Sequence, residues 1–112
     1  MSQNEPSFAT DFLHRRMAWD LSRPRFMDFQ RERIQSITAA DPTFPAGLRQ
    51  AALDALGSGH SGTIRRGLIA LAFVGTTTDI SVIEPFNTHE DSDVARDAQT
   101  CLFEIQHSDR VA

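Results

Sequence analysis

Lysine and tyrosine are missing from the 112 residues, and all eleven basic side chains are arginine. Cysteine is nearly missing too. Cys101 is the single example, so no internal disulfide can form, and a reducing compartment fits. Long apolar runs are lacking: the longest, Gly67 to Gly75, falls far short of the ~20 residues that cross a bilayer. The opening MSQNEPSFATDF has no charged-then-apolar signal pattern. These absences point to a cytoplasmic protein with no membrane partner. Excess positive charge is absent as well. The net charge of −4 argues against nucleic acid as the main partner.

What is present suits one globular domain. Hydrophobic content of 40 % and charged content of 23 % are ordinary for a folded chain, and 112 residues suffice for one modest core. The charge is unevenly spread. Acids and bases nearly balance over residues 1–75. Residues 76–109 carry Asp79, Glu84, Glu90, Asp91, Asp93, Asp97, Glu104 and Asp109 against Arg96 alone. That end is a candidate docking face for a basic protein. The competing reading is a solvated surface that keeps the chain soluble.

Taken in order, residues 1–7 read as a disordered lead-in. Phe8 to Leu21 reads as a first helix, with Leu13, Met17 and Leu21 at i, i+4, i+8. Trp19 lies off that stripe, as semi-core packing or as part of a binding surface. Helix two runs from about Pro24 to Ala39, with Phe26, Phe29, Ile34 and Ile37 apolar and Arg25, Arg31, Glu32 and Arg33 wet. Asp41-Pro-Thr-Phe-Pro is a break. Helix three, Pro45 to Leu56, has a narrow seam of Leu48, Ala52, Leu53, Ala55 and Leu56, which lets another helix come close. Gly57-Ser-Gly-His-Ser-Gly connects to helix four, capped by Ser61 or Thr63 and ended by Gly75. Asp79 caps helix five, and Pro85 ends or bends it. Asp91 or Ser92 caps helix six, which runs to about His107. The fold class is all-α, with no convincing strand.

Helices four and six carry a repeat. With an offset of thirty-one residues, Thr63 meets Val94, Gly67 meets Ala98, Ala70 meets Cys101, Leu71 meets Leu102 and Val74 meets Ile105. The matched positions share one helical face. A repeat of this length marks stacked helical hairpins. GTTTDISVIEPFNTHEDSDVARDAQTCLFEI resembles a HEAT repeat, most closely the short bacterial type also found in phycobilisome-lyase-like proteins. Gly75, the capping Asp79, Ile80 and Ile83, Asp91 and Asp93, Val94, Ala98, Leu102 and Ile105 carry the likeness. The family's Arg after Val stands one place late, as Arg96. In the preceding unit Thr63 replaces the Val and Ile64 precedes Arg65. The resemblance covers residues 45–107. It implies a small α-solenoid of about three helical hairpins and a tendency to bind proteins, without catalysis. The expected layout is a single domain over residues 8–112. Residues 8–40 form a capping hairpin, and 45–75 and 79–107 are the repeat units. Two units cannot bury their stripes alone. Either the aromatic-rich first two helices close one end, which is the preferred reading, or the protein forms a homodimer.

Motifs for chemistry fail on inspection. Gly57-x4-Gly62-Thr63 lacks the phosphate-binding lysine and follows a helix where a strand is needed. Gly59-His60-Ser61-Gly62-Thr63 departs from a nucleophile elbow at its last position and also lacks the strand. His89-Glu90-Asp91-x-Asp93 has neither zinc nor calcium spacing, and helix capping explains it. Cys101 reads as an inert buried thiol, since its acidic surroundings would not favour a thiolate. No catalytic residue, cofactor or metal is expected. The expected function is non-catalytic protein binding, in one version as a small bacterial antagonist or immunity-type protein that blocks a basic toxin or nuclease. Its partner-binding residues would be Glu84, Glu90, Asp91, Asp93, Asp97 and Trp19. The alternatives are a ligand carrier or enzyme accessory with a concave pocket near His60 or Trp19, and a structural homo-oligomer.

Overall fold

The computed structural model describes residues 8–16 and 26–107 of the chain. Residues 1–7, Met17, Trp19, Leu21 and the Pro24 helix start lie outside the described residues, as do the side chains of Phe26 and Phe29. Among the described residues the structure is all-helical, with no strand.

The first helix differs from the sequence expectation. An α-helical turn, α1 (Phe8–Asp11), widens into a π-helical turn over Phe12–Arg16. Adjacent Phe12 and Leu13 are both fully buried. Phe12 meets Phe44 edge-on at 5.3 Å, which ties this turn to the start of the third helix. Helix α2 (Phe26–Ala40) buries Ile34 and half-buries Ile37, as its apolar side requires. The break after it is an Asx turn: the Asp41 carboxylate accepts from the Thr43 amide at 3.1 Å and its hydroxyl at 2.6 Å.

Helix α3 (Phe44–Leu56) starts one residue earlier than expected, with Pro45 in its first turn. Its seam is as the spacing implied: Leu48, Ala52, Ala55 and Leu56 are buried and Leu53 is half-buried. Gly59, at φ +80°, turns the connector in a conformation that side chains resist. Helix α4 (Ser61–Val74) then packs back along α3. Here small residues matter. A Cβ on Gly67 would lie 2.7 Å from the carbonyl oxygen of Ala52. The backbones touch because nothing separates them.

Two caps are corrected. Neither Ser61 nor Thr63 caps α4; His60 holds the cap position and makes no side-chain cap bond. Ser61 is instead the first residue of the helix. Asp79 holds the cap position of helix five but makes no side-chain cap bond to it. Thr76 caps a 3-10 turn, Thr77–Asp79, and the Asp79 carboxylate reaches back to the Thr76 amide at 2.9 Å. Helix α5 (Ile80–Ile83) is a single turn. It gives way at Pro85 to a 3-10 stretch, Glu84–Thr88, because proline cannot bond back to the carbonyl of Ser81. Helix α6 (Ser92–Gln106) is capped by Asp91, which accepts from the Asp93 amide at 2.9 Å.

Helix α4 lies between α3 and α6. It runs parallel to α6: Arg65 bonds Asp97 near both N-termini, and Gly75 meets Ile105 near both C-termini. Gly75 ends α4 at φ −68°, a value open to any residue. The glycine is needed for space, since a Cβ there would stand 2.6 Å from the Leu71 carbonyl oxygen and 2.9 Å from the Ile105 Cδ1. Leu71 is fully buried and Leu102 half-buried against the same core. No described helix is long and apolar enough to cross a membrane.

Candidate functional site

The acidic residues divide into those the fold uses and those it leaves outside. Asp79 is buried and held by Arg49 from α3, with Nε at 2.8 Å and Nη2 at 2.6 Å. This fork is the favoured guanidinium–carboxylate geometry. Together with the Thr76 amide it holds the Asp79 carboxyl below its usual range, the Arg49 hydrogen bond being the main cause.

Asp97 was expected on the docking face and is not there. It is fully buried on α6, with Arg65 Nε donating to Oδ2 at 2.7 Å. Its Oδ1 has no hydrogen-bond partner. Burial pushes this carboxyl above its usual range, and Arg65 offsets only part of that. Arg65 thus ties α4 to α6. No carboxylate of Asp97 is available to a partner.

Asp91 and Asp93 have local duties. Asp91 caps α6, and the Asp93 amide bond is the main reason its carboxyl sits below the usual range. Its own amide donates to His89 Nδ1 at 3.0 Å, so the turn before α6 is held from both sides. Asp93 pairs with Arg96 at 3.0 Å and stands 3.9 Å from Arg65, with half its side chain exposed. Glu84 and Glu90 are exposed and form no ion pair among the described residues. Val82, beside Glu84, is 45 % exposed. Of the six residues singled out from the sequence, Glu84, Glu90, Asp91 and Asp93 fall within one short stretch around the α5–α6 connection. Asp97 lies beneath it, and Trp19 is outside the described residues.

A second feature was not legible in the sequence. A groove of about 460 Å³ lies between α2 and the C-terminal halves of α4 and α6. Arg31 crosses it. The guanidinium stands 5.8 Å above the Phe73 ring and reaches Glu104 at 3.3 Å and Asp28 at 3.1 Å. Phe103 and His107 stack at 4.1 Å on the α6 side, and Phe103 is 56 % exposed. The expected pocket near His60 is not this one: His60 is exposed in the α3–α4 connector and does not line the groove.

No group of three or more His, Cys, Asp or Glu among the described residues is placed to hold a metal ion. Cys101 is buried on α6. The Gly57–Thr63 stretch is a helix-to-helix connector, so the strand needed for a phosphate loop or nucleophile elbow does not precede it. Comparison with known proteins gives no match: no family model fits the chain, no curated protein matches its sequence, and no solved structure matches its fold.

Proposed function

We propose that this protein is a non-catalytic binding module that presents the stretch from Val82 to Asp93 to a basic protein partner. One observation carries the reading: Glu84 and Glu90 are exposed and unpaired among the described residues, while Asp79 and Asp97 are spent on internal arginines. Charge left outside after the fold has taken what it needs is free to steer and orient a partner. Within this reading the helices form a short HEAT-like stack, and a small antagonist or immunity-type protein that blocks a basic toxin or nuclease is its concrete form.

The outward face of α6 supports a stack that ends there. Gln99 and Thr100 stand at the positions where α4 buries Leu68 and Ile69. A terminal unit needs such a polar outer face.

The test uses the two exposed acids, because Asp91 and Asp93 would disturb the α6 cap. Affinity capture from native lysate with the parent protein, Glu84→Arg/Glu90→Arg and the control Glu32→Arg should yield a basic protein with the parent and the control only. Its retention should fall as salt rises. Equal capture by all three would overturn the reading.

A further inference from the structure

We propose that His89 is a pH-sensitive latch on the turn that leads into α6: its neutral ring holds the turn, and protonation releases the turn and adds positive charge to the acidic stretch. The residue joins two elements. Its amide donates to the carbonyl of Phe86 at 3.1 Å, and its ring lies nearly parallel to that of Phe86, with centroids 6.2 Å apart. On the other side, Nδ1 accepts from the Asp91 amide at 3.0 Å. Asp91 in turn caps α6. The chain between the 3-10 stretch and α6 is therefore pinned through one imidazole.

That bond belongs to one protonation state. A ring nitrogen accepts only when it is bare, and in the imidazolium both nitrogens carry hydrogen. Histidine is the side chain whose charge ordinarily changes between about pH 5 and 8. His89 is half-buried, so solvent protons reach it. A protonated Nδ1 would face the Asp91 amide as donor against donor. The surrounding charges do not restore the bond. The Asp91 carboxylate is close enough for its charge and that of the ring to act on each other, but it is already engaged as the α6 cap. Glu90, next in the chain, is exposed. From α4, Arg65 stands 3.9 Å from Asp93 and acts on Asp91 across the same turn, and Arg96 pairs with Asp93.

The consequence for a partner rests on the reading above; the latch itself does not. Residues 82–93 carry Glu84, Glu90, Asp91 and Asp93 and no arginine, so a charged His89 offsets one of four acids. A basic protein held there at neutral pH would be released as pH falls.

Nuclear magnetic resonance of the isotopically labelled full chain tests the latch without a partner. At pH 8 the ring nitrogens of His89 should report Nε2–H and a bare Nδ1. Between pH 8 and 5.5 the protection of the Asp91 amide against hydrogen exchange should fall about fivefold, the worth of one hydrogen bond, in step with the ring titration. His89→Asn should keep that protection throughout, since a side-chain carbonyl can accept from the amide two residues on, as the Asp41 carboxylate does from Thr43. A neutral ring that carries its hydrogen on Nδ1, protection that does not follow the ring, or an equal fall in His89→Asn would overturn the latch. A synthetic hexa-arginine peptide is the basic probe for the consequence. Its dissociation constant with the parent should rise about threefold from pH 7.5 to 5.5, the scale of one exposed charge pair, and stay level with His89→Asn. Equal rises in the two would overturn the regulatory role. No binding to either at pH 7.5 would overturn the acidic-stretch reading and the regulation with it, while the amide titration decides the latch on its own.

Discussion

Helices α4 and α6 share an apolar spacing at an offset of thirty-one residues, yet they live in different surroundings. On the shared face they agree: Gly67 and Ala98 are buried, as are Ala70 and Cys101. On the opposite face they part. Leu68 is fully buried against its neighbours, whereas Gln99 is exposed; Ala72 is buried, whereas Phe103 faces the solvent. One helix is covered on two sides and the other on one. Two helices with matching apolar spacing are thus buried differently, according to what stands next to each. The arginine–aspartate pairs show the same contrast. Asp79 has every acceptor oxygen engaged, while Asp97 keeps an unpartnered Oδ1 in a fully buried setting.

Exchanging the outer faces should break the comparison most visibly. Leu68→Gln puts an amide where no partner waits and removes buried methyl groups, and should cost about 4 kcal/mol in urea denaturation. A cost below about 1 kcal/mol would mean that α4 is not enclosed on both sides. Next comes the inner face. Gly67→Ala must push α3 away from the 2.7 Å approach at Ala52, for a net loss of about 2 kcal/mol despite better helix propensity. Gly62→Ala, in the same helix with nothing within 4 Å of the added carbon, serves as the control and should lose nothing. Were both alanines tolerated equally, the close contact of α3 and α4 would be wrong.

The carboxylates should separate by pH, with opposite signs. The Asp79 carboxyl is lowered in the fold. Its stabilisation is complete above the unfolded value of about 3.9 and is lost as pH falls through the lower folded value. Asp79→Asn should therefore cost about 2 kcal/mol at pH 7, and the gap to the parent should close toward pH 3. The Asp97 carboxyl is raised, so its contribution is greatest below about pH 3.9 and is lost as pH rises through the folded value. Asp97→Asn should gain on the parent between pH 3 and pH 7. Denaturation midpoints at pH 3, 5 and 7 decide the matter, and parallel profiles for the two variants would contradict the structure. The smallest effect should come from Gln99→Leu. On an exposed face it should shift stability by no more than about 0.5 kcal/mol. Its use is in light scattering, where a concentration-dependent mass would reveal a terminal face made sticky.

Much of the core was legible residue by residue. The seam of Leu48, Ala52, Ala55 and Leu56 follows from helical spacing, and so does the stop at Pro85. The caps were harder. Several polar residues crowd each helix start, and a carboxylate that matches a cap position can be claimed by an arginine far along the chain, as Asp79 is by Arg49. The spacings of these pairs, 30 and 32 residues, straddle the repeat and were a usable signal. The groove had none. Arg31, Phe73 and Glu104 look like unrelated surface and core residues until α2 is laid across the ends of α4 and α6.

By itself, the sequence determined that the protein is all-α, where its helices break, and which small residues let α3, α4 and α6 come close. Those properties depend on local geometry and on spacing along one helix. The tertiary structure alone decided which carboxylates are spent on arginines, which stay outside, and where Arg31 meets the Phe73 ring and Glu104. Those depend on distances between side chains that no pattern along the chain encodes.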